Sequence, residues 1–429
     1  MAKNALKVMI MKQLLAQYKG LKKEIYVLFF GKLVTAMGSF VWPMLTFFLT
    51  TKLGLSDGVC TMLIATAMLL SLPAALWGGK LADRYDRKKL IILFDCATVG
   101  LYFLAAILPV SYVTAGIIFI AGLFQTIESP AYDALNADFS TSAQRDKAYS
   151  LSYLGFNLGF IVGASVSGLL FQKYIWLAFL LNGVAVLTST LLIAFFVRTE
   201  NAVREDGAGE EVLSEYERPL EESLSVLAVF RRTPVVLWVM IVGCLASMTG
   251  NIVGILLPLQ LKEAMGAGGA ALYGYLSSLN GLVVILFTPV FTMALRKFTE
   301  LPKAILGMLL FIGGILLFAR GNVKWVLFVA MFIYTLGEVV TVLGVNPYTS
   351  RRIPASHRGR IGGVTSVLYS VFFTLIQYGI SFVLMIAEGN YRLLWLVFIG
   401  CGLTSMALYA LAYPADKKRF PDLYPKEVC

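Results

Sequence analysis

Apolar residues run along this chain in long blocks, neither alternating as in a strand nor confined to one helical face. Short charged clusters separate the blocks. A helix needs about 20 apolar residues to cross a hydrocarbon core roughly 30 Å thick, and about twelve blocks reach that length. They fall near 25–49, 57–78, 90–109, 112–135, 148–171 and 174–197 in the first half. In the second they fall near 235–261, 269–295, 303–320, 324–347, 361–387 and 391–413. The pattern predicts an all-α membrane protein with about 12 transmembrane helices in two six-helix bundles. Barrel strands are excluded, because they alternate over roughly ten residues.

The blocks divide the chain into a cytoplasmic N-terminal segment (1–24), an N-terminal bundle (25–198), a cytoplasmic linker (199–234), a C-terminal bundle (235–413) and a cytoplasmic tail (414–429). Residues 3–23 are basic, with Leu6, Ile10 and Leu14 spaced for a helix lying on an anionic leaflet; a solvated tail is the alternative. The next apolar run is too long for the core of a signal peptide. The linker is marked by acidic residues from Glu200, Glu205 and Asp206 through Glu210, Glu211, Glu215 and Glu217 to Glu221 and Glu222. The halves look duplicated. Pro73 precedes Arg87 by as many positions as Pro289 precedes Lys303, and Gly38…Pro43 is echoed by Gly250…Pro258. The loop Asp138…Arg145 has a counterpart in Pro354…Arg358-Gly359-Arg360.

Composition adds weight to this picture: 58% of residues are hydrophobic and 14% charged, a balance foreign to soluble domains. The net charge of +11 reflects placement and not nucleic acid, because the spans put most of the 36 Lys and Arg on one side. The positive-inside rule then leaves both termini in the cytoplasm. Cys60, Cys96, Cys244 and Cys401 lie in or beside apolar runs and Cys429 is terminal, so neither a metal site nor a disulfide is implied. The chain has no G-x-x-x-x-G-K-[ST] loop, no serine elbow and a lone histidine, His357, in a loop. Neither an enzyme nor an ATP-driven pump is expected, and no cofactor.

A charge inside a span costs about 2.5–3.5 kcal/mol on insertion scales, so each should have a partner or a purpose. Four stand out: Lys32, Glu128, Asp133 and Glu338. At 1.5 Å per residue, Lys32 and Glu128 each lie roughly 6 Å to the cytoplasmic side of their span centres and can face one another, whereas Asp133 is roughly 13 Å down. Gln125, Glu128, Ser129 and Tyr132 share one helical stripe. Glu338 lies within about 3 Å of the middle of the tenth span, which holds no basic residue to neutralise it. Burial there opposes ionisation, so Glu338, Glu128 and Asp133 are candidates to carry protons. Lys32, Gln125, Tyr132, Asn157, Asn251, Asn280, Tyr334, Tyr369 and Gln377 are candidates to line a substrate cavity.

The densest charge cluster, Gly79-Lys80-Leu81-Ala82-Asp83-Arg84-Tyr85-Asp86-Arg87-Lys88-Lys89, sits between the second and third blocks. It resembles the signature loop of the major facilitator superfamily, G-x-L-a-D-r-x-G-r-k. Gly79, Leu81, Ala82, Asp83, Arg84, Arg87 and Lys88 match, and Asp86 stands where the family usually has glycine. The resemblance implies a secondary transporter that rocks two parallel lobes about a site near the midplane, with the first, fourth, seventh and tenth helices lining it. It also implies a cytoplasmic gate of Gly79, Asp83, Arg84, Arg87, Asp138 and Arg145. In that gate Asp83 accepts from the start of the eleventh helix, and the arginines reach nearby acids such as Asp138 and Asp95.

Tyr334-Thr335-Leu336-Gly337-Glu338 followed by Pro347 and Arg358-Gly359-Arg360 resembles the corresponding region of proton-driven drug exporters. Gly155, Gly159, Gly163 and Gly168 suit close helix packing. They also approach the exporters' G-x-x-x-G-P-x-x-G-G, from which the chain departs at Ala164 and Ser167. The expectation is proton-coupled export of lipophilic or cationic small molecules by a functional monomer in a bacterial inner membrane, with Na⁺ the alternative coupling ion. Uptake or exchange of a defined, anionic metabolite, favoured by Lys32, and lipid translocation are the other readings.

Overall fold

The computed structural model describes residues 18–141, 144–201, 226–266, 268–321, 323–353, 355–386 and 391–424. The expected surface helix at 3–23, up to residue 17, and the acidic stretch 202–225 lie outside them. Twelve described helices are long and apolar enough to cross a membrane. They are, in order, Lys23–Lys52, Asp57–Arg84, Arg87–Ile107, Tyr112–Asp138, Lys147–Lys173, Ile175–Phe196, Pro234–Met265, Gly268–Ala294, Glu300–Phe318, Lys324–Thr349, Gly363–Ile386 and Tyr391–Arg419. No strand occurs among the described residues. Trp77, Phe195, Met293 and Trp325 are among many large apolar side chains left exposed, a surface that suits lipid.

Side-chain caps close helix ends where the chain turns. Asp86, in the position the family gives to glycine, accepts from Lys89 N at 2.8 Å and starts the third span. Ser111 does the same for the fourth. The first span breaks after Met37, with a short turn at Trp42–Met44 across Pro43, and the seventh breaks at Ile252 between Gly250 and Pro258. Glycine and proline both weaken a helix interior, so the echoed pairs mark echoed breaks. Pro73 and Pro289 sit inside the second and eighth helices.

The described residues form two compact units. One comprises those within Met1–Met44 and Leu70–Ala208, the other those within Leu45–Leu69 and Gly209–Cys429. The division differs from the boundary expected at 199–234 in one stretch, Leu45–Leu69. There Asp57 takes Lys262 at 2.6 Å and also Tyr391, and Thr66 meets Tyr378 at 2.9 Å. Polar contacts of this kind, distant in sequence, are invisible to hydropathy.

In the first unit Ile25, Leu28, Ile91, Leu135, Phe139 and Ile193 build a core from the first, third, fourth and sixth spans. The fifth span packs on the first through its glycines. A Cβ on Gly159 would lie 2.3 Å from Leu33 O, one on Gly163 2.7 Å from Ala36 O, and one on Gly155 2.9 Å from the Phe29 ring. Gly168 is buried further along. Gly159→Val should therefore destabilise the protein by at least about 1–3 kcal/mol through overpacking, read as a lower melting temperature in detergent. An unchanged melting temperature would mean that the two helices part freely.

In the second unit the ninth and tenth spans interlock in the same way. A Cβ on Gly307 would lie 2.7 Å from Thr341 N, one on Gly314 2.8 Å from Tyr334 N, and one on Gly337 2.7 Å from Phe311 N. The twelfth helix runs past residue 413, through Pro414, to Arg419, into what was expected to be tail. Asp416 is fully buried there, which holds the extra turn in place.

Candidate functional site

Two carboxylate sites occur, one in each unit. In the first, Glu128 of the fourth span lies within hydrogen-bonding reach of Asp95 on the third, with Lys32 and Asp133 in electrostatic range. Asp95 is 5% exposed and accepts from Thr190 Oγ1 of the sixth span at 2.7 Å. Two carboxyl groups this near can bond to one another only when one of them carries a proton to donate. The sequence left open whether Lys32 pairs with Glu128 or meets substrate. Its Nζ stands 5.1 Å from the centre of the Tyr132 ring, a cation–π contact, with Glu128 in electrostatic range. The Tyr132 hydroxyl donates to Leu28 O at 2.6 Å and joins the fourth span to the first. Asp133, about 140° round the helix from Glu128, is exposed.

Glu338 forms the second site. Gly337 is pressed against the ninth span, and the next residue turns about 100° round the helix, toward the eighth. There Asn280 Nδ2 donates to Glu338 Oε2 at 2.7 Å and to Thr335 Oγ1 at 3.0 Å. Among the described residues no basic side chain pairs with Glu338. Tyr334, one turn earlier, donates its hydroxyl to Gly250 O, where the seventh span breaks. The carboxyl is held by a neutral amide and stays half-buried, so it can exchange a proton without breaking an ion pair.

The other expected cavity residues scatter. Asn157 donates to Tyr153 O and Asn251 to Ser247 O, each within its own helix, and Asn251 is exposed. Gln125 is half-buried beside neither carboxylate by any bond described. The Tyr369 hydroxyl would stand 2.4 Å from a Cβ on Gly243, a tight contact with the seventh span. Gln377 is 1% exposed, with Nε2 lacking a partner among the described residues.

In the charged loop, Arg87 pairs with Asp138 as expected and also reaches Ala134 O at 3.5 Å. Asp83 and Arg84 are exposed and Gly79 has open space beside it. The side chain of Arg145 lies outside the described residues. Asp95 does not reach the loop arginines: it sits about 12 Å further along the third helix than Arg87, with Glu128. Lys88 caps the sixth span, donating to Ala194 O at 2.8 Å and Val197 O at 2.7 Å.

Sequence reasoning misplaced one feature and passed over another. Asp95, set there beside the loop arginines, is a lone carboxylate inside the third block, the signal that singled out Glu128, and belongs with that residue. The other is a cluster near the ends of the ninth, tenth and twelfth spans, where Arg352 joins Glu300 at 3.1 Å and Asp416 at 2.6 Å. Those residues lie among short charged runs and gave no signal.

The family model of the Major Facilitator Superfamily matches residues 28–376. The chain is 25% identical to a Na(+), Li(+), K(+)/H(+) antiporter of Planococcus maritimus, over 77% of this chain and 82% of that protein. It is 27% identical to macrolide efflux protein A of Streptococcus pyogenes, over 77% and 75%. The solved structure of the peptide transporter POT in complex with sulfate has a TM-score of 0.72 to it at 16% identity, covering 95% of this chain and 97% of that one. The peptide transporter likeness speaks for the fold alone. With twelve candidate spans, a matching signature loop and a family model across most of its length, this chain belongs to the Major Facilitator Superfamily and is a multi-pass secondary transporter.

Proposed function

We propose that the protein exports lipophilic, often cationic small molecules in exchange for protons. The observation that carries this reading is Glu338, a carboxyl inside the tenth span that is bound to the Asn280 amide and, among the described residues, to no basic side chain. A neutral partner lets the group load and release a proton as its surroundings change, and Glu128 with Asp95 offers a second proton-holding point. The antiporter and macrolide efflux relatives support antiport and export. The driving force is adequate: one charge moved through 100 mV is worth about 2.3 kcal/mol, enough for a roughly fiftyfold substrate gradient. The reading places the protein in the cell membrane as a monomer, with both termini in the cytoplasm and H⁺ preferred to Na⁺.

The test is a flux assay across a substrate panel in liposomes containing the purified protein, with an imposed pH gradient. Accumulation of a lipophilic cation driven by the gradient supports the reading, and flux indifferent to pH but driven by Na⁺ replaces the coupling ion. Exchange of a defined anion is a second reading, favoured by Lys32, whose ammonium rests on an aromatic ring and forms no carboxylate ion pair among the described residues. Lys32→Met separates the two: loss of anion exchange with proton coupling intact selects the second.

A further inference from the structure

The third and sixth spans of the first unit share a file of polar groups that runs on from Asp95 and that the proposed function leaves unused beyond that residue. Asp95, Thr98 and Tyr102 lie on one face of the third span and climb about 10 Å along it. Opposite them the sixth span presents Thr190, which donates to Asp95 at 2.7 Å, and Asn182, which lies with Tyr102 and Trp42 at the other end of the file. The groups are deeply buried: Thr98 and Tyr102 are 0% exposed and Asn182 is 2% exposed. Thr98 Oγ1 makes no hydrogen bond among the described residues, and the Tyr102 hydroxyl and Asn182 Nδ2, which stand near one another and near Trp42, make none of normal length there. Three polar atoms so placed along one apolar seam call for ordered water, the general remedy for buried polar groups.

We propose that the seam between the third and sixth spans holds a file of water that carries protons between the outer face and Asp95, which shares one proton with Glu128. The proposal rests on the proton-coupling reading above and adds to it a route. With the termini in the cytoplasm, Arg87 marks the inner end of the third span, so Tyr102 lies nearer the outer face than Asp95. A proton entering past Tyr102 and Asn182 moves by Thr98 to the pair and leaves from Glu128, the member that is half-buried and not closed off. The charged and titratable groups facing Asp95 are Glu128 of the fourth span, with Tyr132 and Asp133 beyond it, and Lys32 of the first. The sixth span contributes the neutral Thr190.

The experiment pairs infrared difference spectroscopy of the purified full-length protein during a pH step with flux in liposomes. A carboxyl band that appears on acidification in the wild type should vanish in both Asp95→Asn and Glu128→Gln, and survive in Asp95→Glu, which keeps a proton carrier and guards against misfolding. Thr98→Val with Asn182→Leu should cut flux driven by a pH gradient about tenfold or more and leave exchange at equal pH intact. A band that persists in Asp95→Asn, or driven flux unchanged in the double variant, overturns the proposal. Wild-type flux indifferent to the pH gradient, with the band still lost in both single variants, overturns the coupling reading and supports the shared proton.

Discussion

Arg352→Met will destabilise the protein by about 3–5 kcal/mol, measured as a lower melting temperature in detergent. The side chain is 0% exposed and spends its donors on two acids: Nε and Nη2 bind Asp416 at 2.9 and 2.6 Å, and Nη1 binds Glu300 at 3.1 Å. The guanidinium also lies 3.9 Å from the centre of the Tyr348 ring, and the Tyr348 hydroxyl donates to Asp416 at 2.7 Å. Methionine fills much of the space but leaves Asp416 buried without its cation, while Glu300 keeps Arg351 alone, at 2.7 Å. That is the costly half-step, whereas removing a buried pair together is often close to neutral. Arg352→Met combined with Asp416→Leu should therefore recover part of the loss.

Burial alone would pull the Arg352 guanidinium down. The hydrogen bonds and charge of Asp416, with the charge of Glu300, outweigh it and hold the group above the usual arginine range. A raised value means that its contribution is fully present below the ordinary arginine value and is lost only as the pH climbs through the higher one. The penalty of Arg352→Met should thus stay constant across neutral pH. A loss under about 1 kcal/mol would show the cluster to be screened like a surface pair.

Glu338→Gln should abolish transport driven by a pH gradient, about a hundredfold loss, while exchange of substrate at equal pH continues. Glutamine has nearly the shape of glutamic acid, and its carbonyl can still accept from Asn280, so the local packing persists and only the exchangeable proton is removed. Asn280→Leu makes the complementary cut: it leaves the carboxyl but strips its donor, and should shift the pH at which driven flux is half-maximal without removing coupling. Driven flux unchanged in both Glu338→Gln and Glu128→Gln would remove these residues as proton carriers and direct attention to another ion.

The twelve spans, the echoed glycine–proline pairs and the Arg87–Asp138 pair were legible in the sequence, though not that those pairs break their helices. Each follows from a property carried by neighbouring residues: hydropathy over about 20 positions, a missing backbone donor, or a charged loop of fixed spacing. Glu338 was legible for the same reason, because a carboxylate in an apolar run is visible without knowing what surrounds it. The substrate cavity was not. Asn157 and Asn251 turn back on their own helices, and Asn280 serves Glu338, a distinction that depends on which face each helix turns to its neighbour.

From its sequence this protein is committed to crossing the membrane as helices, because hydrocarbon tolerates no unpaired backbone and these blocks have the length to span it. Its sequence also commits it to burying carboxylates there. Tertiary structure alone decided their partners. Asp95 meets Glu128 and Thr190, Lys32 rests on Tyr132, and Arg352 gathers Glu300 and Asp416. These pairings join residues far apart in the chain through helix rotation and close glycine contacts, and no local pattern of polarity encodes such a rotation.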